Sequence, residues 1–186
     1  QSPVVVQIPD FGKRFWVYQI VDLRTDSFAE LGQMYNTKPG FYLLVGPNWN
    51  EKVPDGIIKV FRSSTNTGIV GPRIFMDDTP QDREAIQPLL KSVMMYPLAD
   101  YDGKIKSIDW KNVKKIDAPS MGDAEMSWVI PEKFFDELPI ILADAPALPG
   151  EEARYEQVKA VIEAAKKDPA IKKAMIEAAT EAEKEI

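Results

Sequence analysis

The stretch KVFRSSTNTGIVGPRIF, residues 59–75, sets two arginines, Arg62 and Arg73, around a run of hydroxyls and one amide: Ser63, Ser64, Thr65 and Asn66. Guanidinium groups fork onto the paired oxygens of a carboxylate or phosphate, and hydroxyls and amides complete a cage for an anion or a polyol. The same side chains also satisfy loop backbone, and the arginines can pair with acids at a sheet edge. The stretch therefore reads either as a binding loop or as a plain connection between strands. Upstream, Tyr18, Gln19 and Asp22 lie on or just past an aromatic strand. Gln19 sits among Phe15, Trp16 and Val17, and a buried amide needs partners. It is either a contact pointing into a cavity or an inner-face residue bonded to backbone or water. Tyr18, Gln19, Asp22, Arg62, Thr65, Asn66 and Arg73 are thus the candidate contacts for a small polar or anionic ligand.

Composition removes several chemistries. The 186 residues contain no His and no Cys. That excludes a Ser-His-Asp triad, imidazole general bases, His-ligated zinc, thiolate metal sites, cysteine nucleophiles and disulfides. Asp77 and Asp78, with Asp10, Asp22 or Asp55, offer oxygens to calcium or magnesium, but no EF-hand spacing is present. The two adjacent acids are better explained by a helix start at Thr79, where negative charge suits the dipole. No metal and no cofactor is expected. With 29 acidic residues a carboxylate pair for glycoside hydrolysis can be nominated anywhere, so that signal is empty. Trp16, Trp49, Tyr35 and Tyr42 have rings able to stack on sugars, and the same rings serve as core or cross-strand pairs. A net charge of −6 argues against nucleic acid. No apolar run reaches the roughly 20 residues needed to span a bilayer.

The elements that must carry these residues change type along the chain. Residues 3–8 (PVVVQI), 14–23 (RFWVYQIVDL), 41–46 (FYLLVG), 56–63 (GIIKVFRS) and 67–75 (TGIVGPRIF) read as strands, with a shorter one in SFAELG. In the second strand Phe15, Val17 and Gln19 face one way and Trp16, Tyr18 and Ile20 the other; both faces are mostly apolar, as in a central strand. Short strands with turn signals between them predict a jelly-roll-like antiparallel β-sandwich over residues 3–77 rather than a βαβ sheet. From residue 78 the pattern turns helical: Thr79 is the expected N-cap, Pro80 the first helical residue, and Pro88 an internal break. Residues 78–99 are read as helix and 100–130 as a polar connector. Residues 131–186 are read as a helical appendage in which Asp168 caps the last helix.

Several motifs, in order, resemble the bacterial domain-of-unknown-function family numbered 1254. They are a strand ending in Pro9-Asp10, then Asp22, Thr25 and Phe28 in a DxxT-x-F element. LVGP-x-W (Leu44 to Trp49), VP-x-G (Val53, Pro54, Gly56) and RS-x-TN (Arg62, Ser63, Thr65, Asn66) follow. The match covers roughly the first hundred residues. It implies a jelly-roll-like sandwich from a periplasmic or secreted protein. The resemblance also implies an upstream segment and a following sandwich of family 1214, so the chain, opening at Gln1 without a Met, is read as a middle piece of a longer protein. The missing segments or a companion chain are then possible partners, as is a second copy in a homo-oligomer.

The leading expectation is an envelope or secreted module that binds a small polar or anionic ligand in a cavity between sandwich and helices. A hydrolase-like enzyme completed by flanking segments and a structural assembly subunit are the alternatives.

Overall fold

A computed structural model describes residues 2–114 and 130–185. The chain divides into two compact units, residues 1–114 and 115–186.

The first unit is built on two sheets. One has the strand order β5-β4-β1-β7 and the other β3-β2-β6. The strands are β1 (Val4–Ile8), β2 (Trp16–Asp22), β3 (Leu31–Gly32), β4 (Gly40–Val45), β5 (Ile57–Arg62), β6 (Gly68–Ile74) and β7 (Met94–Pro97). Every pair is antiparallel except β4 with β5, which run parallel. That one pair departs from the antiparallel expectation: the segment after β4 crosses over before β5 begins, and a register shift at Phe41/Tyr42 accommodates it.

Period-two alternation decides which side chains fill the space between the sheets. Val6 and Ile8 of β1, Tyr42 and Phe61 from β4 and β5, and Trp16, Tyr18 and Ile20 of β2 form one buried cluster. Trp16 stands edge-on to Tyr18 at 5.7 Å between ring centroids, a favoured geometry for aromatic pairs. The expected sidedness of β2 is therefore observed, with Gln19 on the outward face. Val5, Phe41, Leu43 and Val45 point the other way and form a second cluster with Tyr96 of β7, against which Trp49, Leu98 and Tyr101 pack.

Gln7 shares that second face and is fully buried. Its amide donates to the carbonyls of Ser92 at 2.7 Å and Lys106 at 2.8 Å, and accepts from the Lys106 amide at 2.8 Å. The segment after β7 is thereby fastened to β1. The polar connector expected from residue 100 is, up to residue 114, part of the sandwich unit; residues 115–129 lie outside the described residues.

The helix expected over 78–99 is two short helices, a strand and the start of a single 3-10 turn, Leu98–Asp100. Pro80–Ala85 forms α1, capped by the Thr79 hydroxyl on the Asp82 amide, and Gln87–Lys91 forms α2, with Pro88 in its first turn. Proline lacks the N–H that would continue α1, so the break falls where its ring demands. Met94–Pro97 then turns into β7, because β1 offers an unpaired edge there. The Arg14 guanidinium grips the Asp82 carboxylate and ties α1 to the sandwich.

The second unit consists, among the described residues, of α3 (Pro131–Asp144), α4 (Glu152–Ala165) and α5 (Pro169–Glu183), with α3 packed on both other helices. Ile162, Met175 and Ala179 are buried between them. Asp168 caps α5 by accepting from the Ala170 amide at 2.8 Å, as its position before Pro169 predicts.

Candidate functional site

Two adjoining cavities open at the end of the sandwich where β4 ends and β6 begins. The inner one, of about 280 Å³, lies between the sheets, walled by Val4, Ile20, Phe28, Leu44 and Val70. Its polar lining comes from the loop after β5, through Ser63, Thr65, Asn66 and Thr67. The outer one, of about 340 Å³, is lined by Asn48, Trp49, Asn50, Glu51 and Asn66. Ser2, Gly46 and Asn66 border both, so a mainly apolar chamber and a mainly polar one adjoin at this end.

The local sequence explains this junction. A Cβ on Gly46 would stand 2.9 Å from Asn66 Oδ1, so any larger residue there would push the Asn66 amide from its present place. Arg62 donates from Nη1 to the carbonyls of Gly46 and Pro47, both at 3.0 Å. It therefore clamps the root of the 46–51 loop. The Trp49 ring packs against the Val45 and Leu43 cluster. Its indole N–H is buried with no hydrogen-bond partner among the described residues.

Under the mouth, a hydroxyl and carboxylate network holds the loop after β5. The Thr65 hydroxyl donates to the Thr67 carbonyl at 2.7 Å and accepts from the Leu23 amide at 3.1 Å. Ser64 donates to Asp22 Oδ2 at 2.5 Å, while Asp22 Oδ1 accepts from the amides of Arg24 and Asp26 at 2.8 and 3.1 Å. Burial opposes the charge on Asp22, but the hydrogen bonds from Ser64, Asp26 and Arg24 outweigh it and hold the carboxyl below its usual range. Such a group is a fixed acceptor rather than a proton carrier.

The seven candidate contacts therefore separate. Thr65 and Asn66 line the cavity, and Arg62 and Asp22 position the loops beside it. Gln19 and Arg73 lie elsewhere: both are exposed on the outer face of the three-stranded sheet, where Arg73 Nη1 donates to Gln19 Oε1 at 2.6 Å. Strand alternation turns Gln19 outward, and the register of β2 against β6 brings Arg73 within reach. Tyr18 points into the core, where burial pushes its phenol well above the usual range and its hydroxyl has no partner among the described residues. Neither Arg62 nor Arg73 lines either cavity. The polar lining residues missed from sequence are Ser2, Asn48, Asn50, Glu51 and Thr67; two amides flanking a tryptophan in the PNWN turn are the signal that could have found Asn48 and Asn50. Among the described residues no cluster of acids is placed to hold a metal ion, and no helix is long and apolar enough to cross a membrane.

Comparison with known proteins adds three findings. The model of a family described as "Protein of unknown function (DUF1254)" matches residues 1–97, just over half of the 186. No curated protein matches the sequence. The fold is similar to the crystal structure of the VPA0106 protein from Vibrio parahaemolyticus, with a TM-score of 0.51 at 19% identity. That likeness covers 89% of this chain and 46% of the other, so the chain spans under half the length of this relative.

Proposed function

This chain belongs to DUF1254, a family of proteins of unknown function, and on that premise we propose that its sandwich is a binding module that takes a small ligand into the cleft at its open end. The carrying observation is that an apolar chamber and a polar one lie side by side, sharing Ser2, Gly46 and Asn66 as lining. An apolar pocket with a few convergent polar groups is the usual form of a small-molecule site. The inner walls suit an apolar moiety, and Asn66 with its neighbours suits a hydrogen-bonding one. An anionic ligand loses its support, because the guanidinium of Arg62 is spent on backbone carbonyls and that of Arg73 on Gln19.

Binding is favoured over catalysis. Glu51 is the sole ionisable side chain lining the two chambers among the described residues, so it has no second titratable group beside it to share acid–base work. In this reading the sandwich is jelly-roll-like and works in the periplasm or outside the cell, as part of a longer chain or an oligomer. Those features rest on the family resemblance.

The test is ligand-observed NMR with 1-hexanol as an apolar probe. Hexanol is expected to bind the native chain and to be displaced in Val70→Phe and Leu44→Phe, each of which fills the inner chamber. Amide exchange in β2 and β6 shows that the sandwich is intact. Equal binding to native and filled chains, or no binding to the native chain, overturns the reading.

A further inference from the structure

The outer chamber narrows the ligand class, resting on the binding reading above. Its mouth is made of three carboxamides (Asn48, Asn50, Asn66), the indole of Trp49, Ser2 and one carboxylate, Glu51. We infer that this chamber is a polyol site: the head of the ligand carries neighbouring hydroxyls, as a sugar or glycoside does, while an apolar group fills the inner chamber.

The reasoning is by donor and acceptor balance. Each carboxamide offers an acceptor oxygen and two donor hydrogens, and each hydroxyl is at once donor and acceptor. Amides and hydroxyls therefore satisfy one another in both directions. An anionic head would meet Glu51 with no cation in the lining. A metal ion would find a single carboxylate, fewer than the several oxygen ligands a hard cation takes. An apolar head would cover the exposed Asn48 and Asn50 amides without giving them partners, a cost of about 1–3 kcal/mol for each group so buried. A neutral hydroxylated head meets none of these penalties.

Trp49 adds an independent observation. Its ring is held against the Val45 and Leu43 cluster, so the wall is already in place before a ligand arrives. A rigid aromatic beside planar amides is a surface on which a sugar ring rests with its C–H face while its hydroxyls reach the amides.

The experiment compares four probes on the whole chain by isothermal titration: 1-hexanol, hexyl β-D-glucoside, glucose and hexanoate. The inference expects the glucoside to bind at least tenfold tighter than hexanol, hexanoate no tighter than hexanol, and glucose weakly. It also expects Asn48→Ala and Asn50→Ala, each of which removes an exposed carboxamide from the mouth, to erase most of the tenfold advantage. If glucoside and hexanol bind equally, the polyol head is wrong while the inner-chamber site stands. If hexanoate binds tightest, the head is anionic and the inference is overturned. If no probe binds, the polyol site and the binding module both fall. A glucoside advantage that persists undiminished in both variants also overturns the assignment of this chamber.

Discussion

Replacing Gln7 by leucine isolates what fastens the segment after β7 to the sandwich. Gln7 is fully buried, and its side chain makes three hydrogen bonds, two given to the carbonyls of Ser92 and Lys106 and one taken from the Lys106 amide. Leucine fits the volume but meets none of them. At about 1 kcal/mol net per hydrogen bond the loss is ~3 kcal/mol, and it rises if the stranded backbone groups stay buried. Two effects moderate it. Leucine is more favourable to bury than an amide, and residues 104–108 can lift far enough to reach water. The expected outcome is a destabilisation of about 2–4 kcal/mol, a large part of the ~5–15 kcal/mol that holds a domain together. Native-state hydrogen exchange reads it directly: β1 and β4 amides exchange faster by the corresponding factor, and the Lys106 amide loses protection most. Gln19→Leu is the control, because that amide is exposed with Arg73 as its bonded partner, so a change within about 1 kcal/mol is expected. Equal effects of the two substitutions would refute the reasoning.

Asp22→Asn keeps the acceptor toward Arg24 and Asp26 but faces Ser64 with an N–H₂ group, and urea unfolding should show a loss of about 1–2 kcal/mol at neutral pH. Because the Asp22 carboxyl is held low in the folded chain, its stabilisation is complete above the unfolded carboxyl range near 4 and disappears as pH falls through the lower folded value. The acid limb of a stability–pH profile should therefore be shallower in Asp22→Asn than in the native chain; an unchanged slope contradicts the assignment. Gly68→Ala would place a Cβ 2.9 Å from the Val21 carbonyl, backbone that moves only by disturbing the β2–β6 ladder. Thermal unfolding of that variant should show a loss of ~1–3 kcal/mol, and a neutral result would mean the strands are not packed as described. Thr79→Ala and Asp168→Ala each remove a side-chain cap, from α1 and α5, and each should cost ~1 kcal/mol in its own unit by circular dichroism melts, with Asn at either position restoring most of it.

How much of this was legible depends on how local the cause is. Thr79, Pro80, Pro88 and Asp168 act through the backbone within a few residues, so both helix starts and the break follow from sequence. Alternation told the two faces of β2 apart, but with Phe15 and Val17 opposite Trp16, Tyr18 and Ile20 it did not say which is inside; packing against the other sheet decides that and leaves Gln19 outside. Gln7 was invisible for the opposite reason: VVVQI reads as an apolar strand, and its amide is satisfied by groups 85 and 99 residues away. Met94–Pro97 reads as the tail of a helix until the open edge of β1 claims it. The same non-locality misled the candidate site. Arg62 and Arg73 look like a pair around one loop, yet one clamps the Gly46 and Pro47 carbonyls and the other crosses to Gln19 on the neighbouring strand. Asn66 and Thr65 kept their place because they sit in the loop that forms the cavity itself.

Methyl and indole NMR of the isotopically labelled chain with hexyl β-D-glucoside tests the binding site most directly. Perturbations confined to the methyls of Ile20, Leu44, Val45 and Val70 and to the Trp49 indole N–H are the predicted result, with Ile162 and Ile176 of the helical unit unmoved. Shifts centred on the helices, or none anywhere at saturating probe, would contradict a ligand site between the sheets.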